Sequence, residues 1–276
     1  MWIFVDKKRG IFMRSRLFLA LMSCFVFLGV VFCSGCKKQE DNRSVDFVVG
    51  FDVDVPPMGF LDDKGDPTGF DIELARETFK VMGKTVRFQP IDWDAKELEL
   101  NSGKIDLIWN GMSHTPERGK SMLLSSPYMN NRQIVVVRKD SKFQSLEDLN
   151  QKLMCAQKGS TGMQALKDSE VGKNAKSITE LDSMVDCLND VKLWKSDATV
   201  VDEVVFRHYL AQESMKDDFR ALDEEISTED YVIAFKKGNV ELKNQVEAAL
   251  KTVIGKGIAK ELSEKWFETN VLNFSA

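Results

Sequence analysis

Residues 109–118 read Trp-Asn-Gly-Met-Ser-His-Thr-Pro-Glu-Arg, and they concentrate the groups that anion recognition needs. The apolar run Ile105 to Trp109 ends there, a short loop follows, and Thr115 with Pro116 suits the N-cap and first position of a helix. Arg118 then falls in the first helical turn. Free backbone N–H groups, the positive end of the helix and a bidentate guanidinium converge there, which is what a carboxylate needs. A surface arginine paired with Glu117 would use the same residues, so this stretch alone leaves both roles open.

A second turn of the same kind follows the apolar run Leu153 to Gln157, where Lys158-Gly159-Ser160-Thr161-Gly162 leads into a helix with small residues and exposed donors. Asp202 ends the apolar run Ala198 to Val201 just before another helix. It could be a plain N-cap. Two anion sites and one acid at neighbouring strand ends also suit a zwitterion.

These residues need strands that end together. Val45 to Phe51 is strand-like, Asp71 with Ile72, Ala75, Phe79, Met82 and Gly83 reads as an N-cap, an apolar stripe and a C-cap, and Val86 to Gln89 is the next strand. A short helix from Ala95 to Asn101 precedes the buried strand Ile105 to Trp109. The pattern restarts after Ile134 to Val137, with strand Leu153 to Gln157, a helix from Thr161, strand Ala175 to Ile178, helix Ser183 to Lys192, strand Ala198 to Val201 and helix Glu203 to Leu210. Strand Tyr231 to Phe235 and two terminal helices, around Ala248 to Ile254 and Ile258 to Trp266, complete it. The predicted fold class is α/β, with two lobes of mostly parallel sheet and a cleft at the carboxyl ends of their strands.

The N-terminus has a different character. Leu17 to Phe32 carries no charge, follows Arg14 and Arg16, and runs into Ser34-Gly35-Cys36. That is a secretory signal over residues 1–35, started by Met1 or Met13. Ser34-Gly35-Cys36 resembles a bacterial lipobox, with Cys33 where Leu is usual, which implies lipidation of Cys36 and a polar tether over residues 36–43. Of the five cysteines, Cys155 and Cys187 remain for the folded body. They could pair outside the cytoplasm. They could equally be small buried hydrophobes, since Cys187 shares a helical face with Met184, Leu188 and Val191. The chain carries a net charge of −5, but residues 1–35 are basic, so the remainder stands at −9. An acidic body is a poor nucleic-acid binder, and 43 % hydrophobic with 29 % charged residues excludes disorder and collagen.

In order and spacing, Gly50-Phe51-Asp52, Pro56-Pro57-Met58, Gly69-Phe70-Asp71-Ile72-Glu73, Asp92-Trp93-Asp94, Thr115-Pro116-Glu117-Arg118, Gly159-Ser160-Thr161 and Asp202 resemble a periplasmic solute-binding protein of the polar amino-acid type, the receptor component of an ABC importer. The resemblance covers nearly all of residues 44–270. It implies a type II fold with lobe 1 from residues 44–136 and 231–276, lobe 2 from 137–230, and two crossing strands. It implies that Arg118 meets the ligand carboxylate, with Ser160 and Thr161 from lobe 2 and Ser113 nearby. Asp202, the Gly111 carbonyl and the Ser113 hydroxyl meet the ammonium. Trp93 covers the ligand's stem, Asn110 supplies a polar edge, and Asp52, Val55, Met58 and Met112 lie near the side-chain end. Val55 stands where the family often has an aromatic ring, and Trp194 where it commonly has a glycine.

A dehydratase-like enzyme of the same fold would need an acid/base pair, and Glu97, Glu99, His114 and His208 do not form one in the sequence pattern. A sensor signalling to a membrane receptor would use the same pocket. The expected ligand is a polar L-amino acid, basic ones slightly ahead because Asp52 and Asp54 could place negative charge at the distal end. The expected partner is an ABC permease in the inner membrane, with a lipid anchor as the only membrane contact. No cofactor, metal or nucleic acid is expected, and the protein is expected to be a monomer in the periplasm or at the cell surface.

Overall fold

The computed structural model describes residues 45–211 and 215–273 of the 276. The signal segment, the tether and Cys36 lie outside the described residues. The chain begins with β1 (Phe47–Phe51), the short strands β2 (Asp54–Val55), β3 (Gly59–Leu61) and β4 (Pro67–Thr68), α1 (Phe70–Val81), β5 (Val86–Pro90) and α2 (Lys96–Ser102). It continues with β6 (Leu107–Ser113), α3 (Pro116–Ser121), β7 (Met122–Leu124) and β8 (Met129–Arg138). Then come β9 (Leu153–Gln157), α4 (Thr161–Asp168), α5 (Glu170–Lys173), β10 (Ser177–Leu181), α6 (Met184–Lys192), β11 (Ala198–Asp202) and α7 (Glu203–Ala211). The last elements are β12 (Phe219–Lys236), α8 (Val240–Gly255) and α9 (Ile258–Phe267).

One sheet holds most of the strands, in the order β10-β9-β11-β8-β12-β6-β1-β5, with β7 beside β12. The set β5, β1, β6 is parallel, as is the set β10, β9, β11. Between them β8 and β12 run antiparallel, side by side. The result is two α/β lobes joined by two crossing strands. Strand β12 pairs with β8 from Phe219 to Tyr231 and with β6 and β7 from Tyr231 to Lys236. Sequence pattern reveals only its apolar end, because residues 223–230 are largely polar and not fully buried; the ladder to β8 holds them instead.

The largest apolar cluster runs through both lobes, from Val49 and Phe51 to Leu188, Val201 and Phe206, and a second lies within lobe 2. Val49, Phe51, Ile72, Phe79, Trp109, Phe235, Val246 and Leu250 pack between β1, β6, β12 and the helices α1 and α8. Val135, Val137, Met154, Ala156, Leu166 and Val200 fill lobe 2. A fully buried side chain of this size contributes ~1.5–3 kcal/mol. Serine caps set the starts of the lobe-2 helices: Ser160 Oγ accepts from Met163 N and Ser183 Oγ from Asp186 N. Each is worth about 1 kcal/mol.

Several local expectations change. Helix α1 starts at Phe70 after Gly69, so Asp71 is not an N-cap; it sits inside the first turn, fully buried. Gly69 is required there, with φ 123° and an added Cβ 2.5 Å from the Met58 carbonyl oxygen. The segment Asn110 to Ser113, expected as a loop, continues β6, since every residue from Leu107 is buried. Strand β10 begins at Ser177, not Ala175. Trp194 does take the left-handed conformation that a glycine would take, at φ 62°, with its ring largely exposed beneath the Arg138 guanidinium. Cys155 and Cys187 are both buried, and the structure has them as free thiols. The thiol of Cys155, in strand β9, donates to the Cys187 carbonyl of α6 at 3.6 Å.

Candidate ligand-binding cleft

The strand ends of both lobes meet in one cleft lined by Val55, Trp93, Asn110, Gly111, Ser113, Arg118, Gln157, Ser160, Thr161, Met184 and Asp202. Lobe 1 supplies the first six and lobe 2 the rest. The walls are in direct contact: the Ser113 and Thr161 hydroxyls lie 3.1 Å apart, and Gln157 Nε2 donates to Asp52 Oδ2 at 2.6 Å.

Arg118 is delivered as its sequence suggests. Thr115 accepts from the Arg118 amide at 3.1 Å and Pro116 opens α3. The guanidinium is buried, donates to the Ser113 carbonyl at 2.8 Å and to Gly159 O at 3.4 Å, and lies 6.0 Å from the centre of the Trp93 ring. The Glu117 pairing is not formed among the described residues. Burial works against the Arg118 charge, while Glu229 and Asp202 support it.

Asp202 closes β11 on the other wall. Tyr231 OH and Gln133 Nε2 donate to its carboxylate. Burial first, then the neighbouring charge of Glu229, pushes its pKa up to about 7. Glu229 Oε1 in turn accepts from Gln133 and Asn131. Gly111 lines the same cleft at φ 56°, and an added Cβ would stand 3.3 Å from the Tyr231 ring. Its amide donates to Asp71 Oδ2 at 2.7 Å.

Not every expected contact is made. Asp52 does not line the cleft; it is buried behind Gln157 and also accepts from Asp54 N, and burial pushes its pKa up to about 6. Met58 and Met112 are fully buried core residues, Met112 beside Trp93, Leu100 and Ile108, because thioethers pack into apolar gaps. Asn110 Oδ1 holds the Asp52 amide at 2.9 Å, and its buried Nδ2 has no partner. Gln157, Met184 and Lys96 were not anticipated. Gln157 ends a strand directly before the Lys158–Gly162 turn, so the strand-end rule could have found it. His114 is exposed at the rim and His208 packs against Phe60 and Tyr209. Among the described residues no group of His, Cys, Asp and Glu could hold a metal ion, and no helix is long and apolar enough to cross a membrane.

Two lobes on one sheet, a cleft at their strand ends, and opposite charges on facing walls define a two-lobed solute-binding protein. The chain belongs to the bacterial extracellular solute-binding proteins, family 3, whose profile matches residues 47–269. It is 32 % identical over 250 residues to a probable ABC transporter arginine-binding protein, ArtJ, of Chlamydia trachomatis, covering 87 % of this chain and 94 % of that protein. It is 29 % identical over 257 residues to the arginine-binding extracellular protein ArtP of Bacillus subtilis, covering 92 % and 98 %. A Streptococcus pneumoniae ABC uptake transporter substrate-binding protein with bound histidine superposes with a TM-score of 0.80 at 35 % identity, over 83 % of this chain and 94 % of that one.

Proposed function

We propose that the protein binds a polar L-amino acid between its lobes and delivers it to an ABC importer. One observation carries the reading: Arg118 and Asp202, of opposite charge, are both buried in the same cleft, and among the described residues neither forms an ion pair. A buried charge is costly until paired. A zwitterion supplies both missing partners at once, its carboxylate on Arg118 with the Thr161 amide, its ammonium on Asp202 with the Gly111 carbonyl and the Ser113 hydroxyl. Trp93 and Val55 cover the ligand's stem, and Met184 and Gln157 bound its far end. Asp52, one hydrogen bond behind Gln157, gives basic side chains a slight advantage. The arginine-binding relatives support that ordering.

Contacts to residues 44–136 and 231–276 on one side, and to 137–230 on the other, exist together only when the lobes are shut, so ligand stabilises closure. The closed monomer is the form presented to the permease. Export by the signal over residues 1–35 and lipidation of Cys36 hold the receptor at the membrane; intact-mass analysis of the mature N-terminus reads that step. The ligand test is a thermal-shift screen of the twenty amino acids with ornithine and cystine on protein unfolded and refolded to strip bound solute. A ligand at 100 times its Kd stabilises the fold by about 2.7 kcal/mol. Silence across the panel overturns the amino-acid reading, and a response to neutral amino acids alone overturns the role given to Asp52.

A further inference from the structure

The first residue of α2, Lys96, turns its side chain back into the cleft. It is 5 % exposed, and its ammonium donates to Trp93 O at 2.9 Å and, across the cleft, to Gly159 O at 3.0 Å. Lysine is rarely buried unless paired with an opposite charge. Among the described residues Lys96 forms no ion pair: Asp94, the acid two residues before it, pairs with Lys158. The nearest strong influence is of like sign. Burial and then Arg118 push its pKa down to about 8, while Glu97, Asp94 and Asp92 act the other way from the rim.

Lys96 and Arg118 converge on one acceptor, the Gly159 carbonyl, at 3.0 and 3.4 Å. Both cations also lie against the Trp93 ring, at 5.1 and 6.0 Å from its centre. The shared Gly159 carbonyl is neutral and balances neither the Lys96 ammonium nor the Arg118 guanidinium. It belongs to the residue that leads into Ser160 and Thr161, and Lys96, Arg118, Ser160 and Thr161 line one continuous opening. We infer that Lys96 is a second cationic contact for the ligand, acting with Arg118 to select molecules that carry a carboxylate. The inference rests on the amino-acid reading above and adds a specificity-determining residue to it.

The rival role is a latch, in which the Lys96 hydrogen bond to Gly159 only holds the lobes shut. Charge separates the two. Binding of L-arginine, L-histidine and L-cystine, and of L-argininamide and L-histidinamide, is measured by calorimetry on wild type, Lys96→Gln and Lys96→Arg. Glutamine keeps a donor for the carbonyl and loses the charge. The expected result is a loss of about tenfold or more for the free acids in Lys96→Gln. Lys96→Arg recovers to within about threefold of wild type, and the amides are nearly indifferent to either change. An amide that wild type does not hold at all shows the carboxylate to be required, and the Gln and Arg variants then decide. Equal losses for acids and amides, or none in Lys96→Gln, overturn the inference while leaving the amino-acid reading in place. If wild type binds none of the three acids, the amino acid selected by the thermal-shift screen and its amide take their place in the same comparison, and silence across that screen overturns both readings.

Discussion

Asp71 Oδ2 accepts the Gly111 amide at 2.7 Å, so a carboxylate in the first turn of α1 fixes the backbone at the centre of the cleft. Tyr128 OH donates to both oxygens of the same carboxylate, at 2.9 and 2.8 Å. Burial pushes the Asp71 pKa up to about 7, and these donors pull against it.

Replacing Asp71 with Ala strands the Gly111 N–H and the Tyr128 hydroxyl in the core. Each unsatisfied buried group costs about 1–3 kcal/mol, so a total loss of about 2–5 kcal/mol in urea unfolding is expected. Asp71→Asn retains one acceptor and most of the shape, and loses less. Equal unfolding midpoints for wild type and Asp71→Ala would refute the assignment.

On the proposed reading, Arg118→Ala removes the charged partner of the ligand carboxylate. The expected cost in affinity is about 2–5 kcal/mol, a loss of more than tenfold in calorimetry with whichever amino acid the screen selects. The unliganded fold should hold its melting temperature, because the lost guanidinium is a buried charge without an ion pair. Wild-type affinity in this variant sinks its placement on the carboxylate.

The pH dependence has two opposite signs. Asp52, Asp71 and Asp202 have folded pKa values of about 6, 7 and 7, above the ordinary 3.8. The folded state therefore binds protons more tightly than the unfolded chain. The stability these groups add is present below pH 4 and is lost as pH climbs through 4 to 7. The unliganded body should thus resist urea better at pH 5 than at pH 7.5. Ligand affinity runs the other way, since an ammonium on Asp202 needs the carboxylate ionised: it should strengthen from pH 6 to pH 8. Asp202→Asn should flatten both slopes, and a wild type with no slope in either measurement contradicts the placement of these acids.

The buried pair Cys155 and Cys187 predicts two thiols. Titration of the denatured, unreduced body lacking Cys36 should find both, and the native body should react slowly with a thiol reagent because both sulfurs are fully buried. Finding no thiol would restore the bridged alternative.

Local chemistry made parts of this molecule legible from sequence. Strand β9 is an apolar run that stops at a cap, and Thr115 with Pro116 marks the start of α3, so the turns that carry Arg118, Ser160 and Thr161 announce themselves within a few residues. The resemblance to solute-binding proteins then supplied roles that spacing alone leaves open. Contacts between segments distant in sequence were hidden. Gln157 meets Asp52 across 105 residues and Lys96 meets Gly159 across 63, and neither amide nor ammonium advertises its partner. Asp71 misled for a related reason: an acid near a helix start resembles a cap, and only Gly69 and the buried Gly111 amide show that it faces inward.

Strands β8 and β12 cross between the lobes as one hydrogen-bonded ribbon. Sliding one strand along the other would break its ladder bond by bond, whereas flexing across the face of the ribbon keeps every bond. Register shifts between Ala221 and Glu225 and between Glu225 and Ser227 interrupt the ladder there and bend the strand locally. On the proposed binding cycle the crossing is a leaf spring, and it constrains the path along which the cleft residues approach one another. On that same reading, a solute that is too long or wrongly charged would stop the stroke short, so discrimination would be read out as how far the jaws travel.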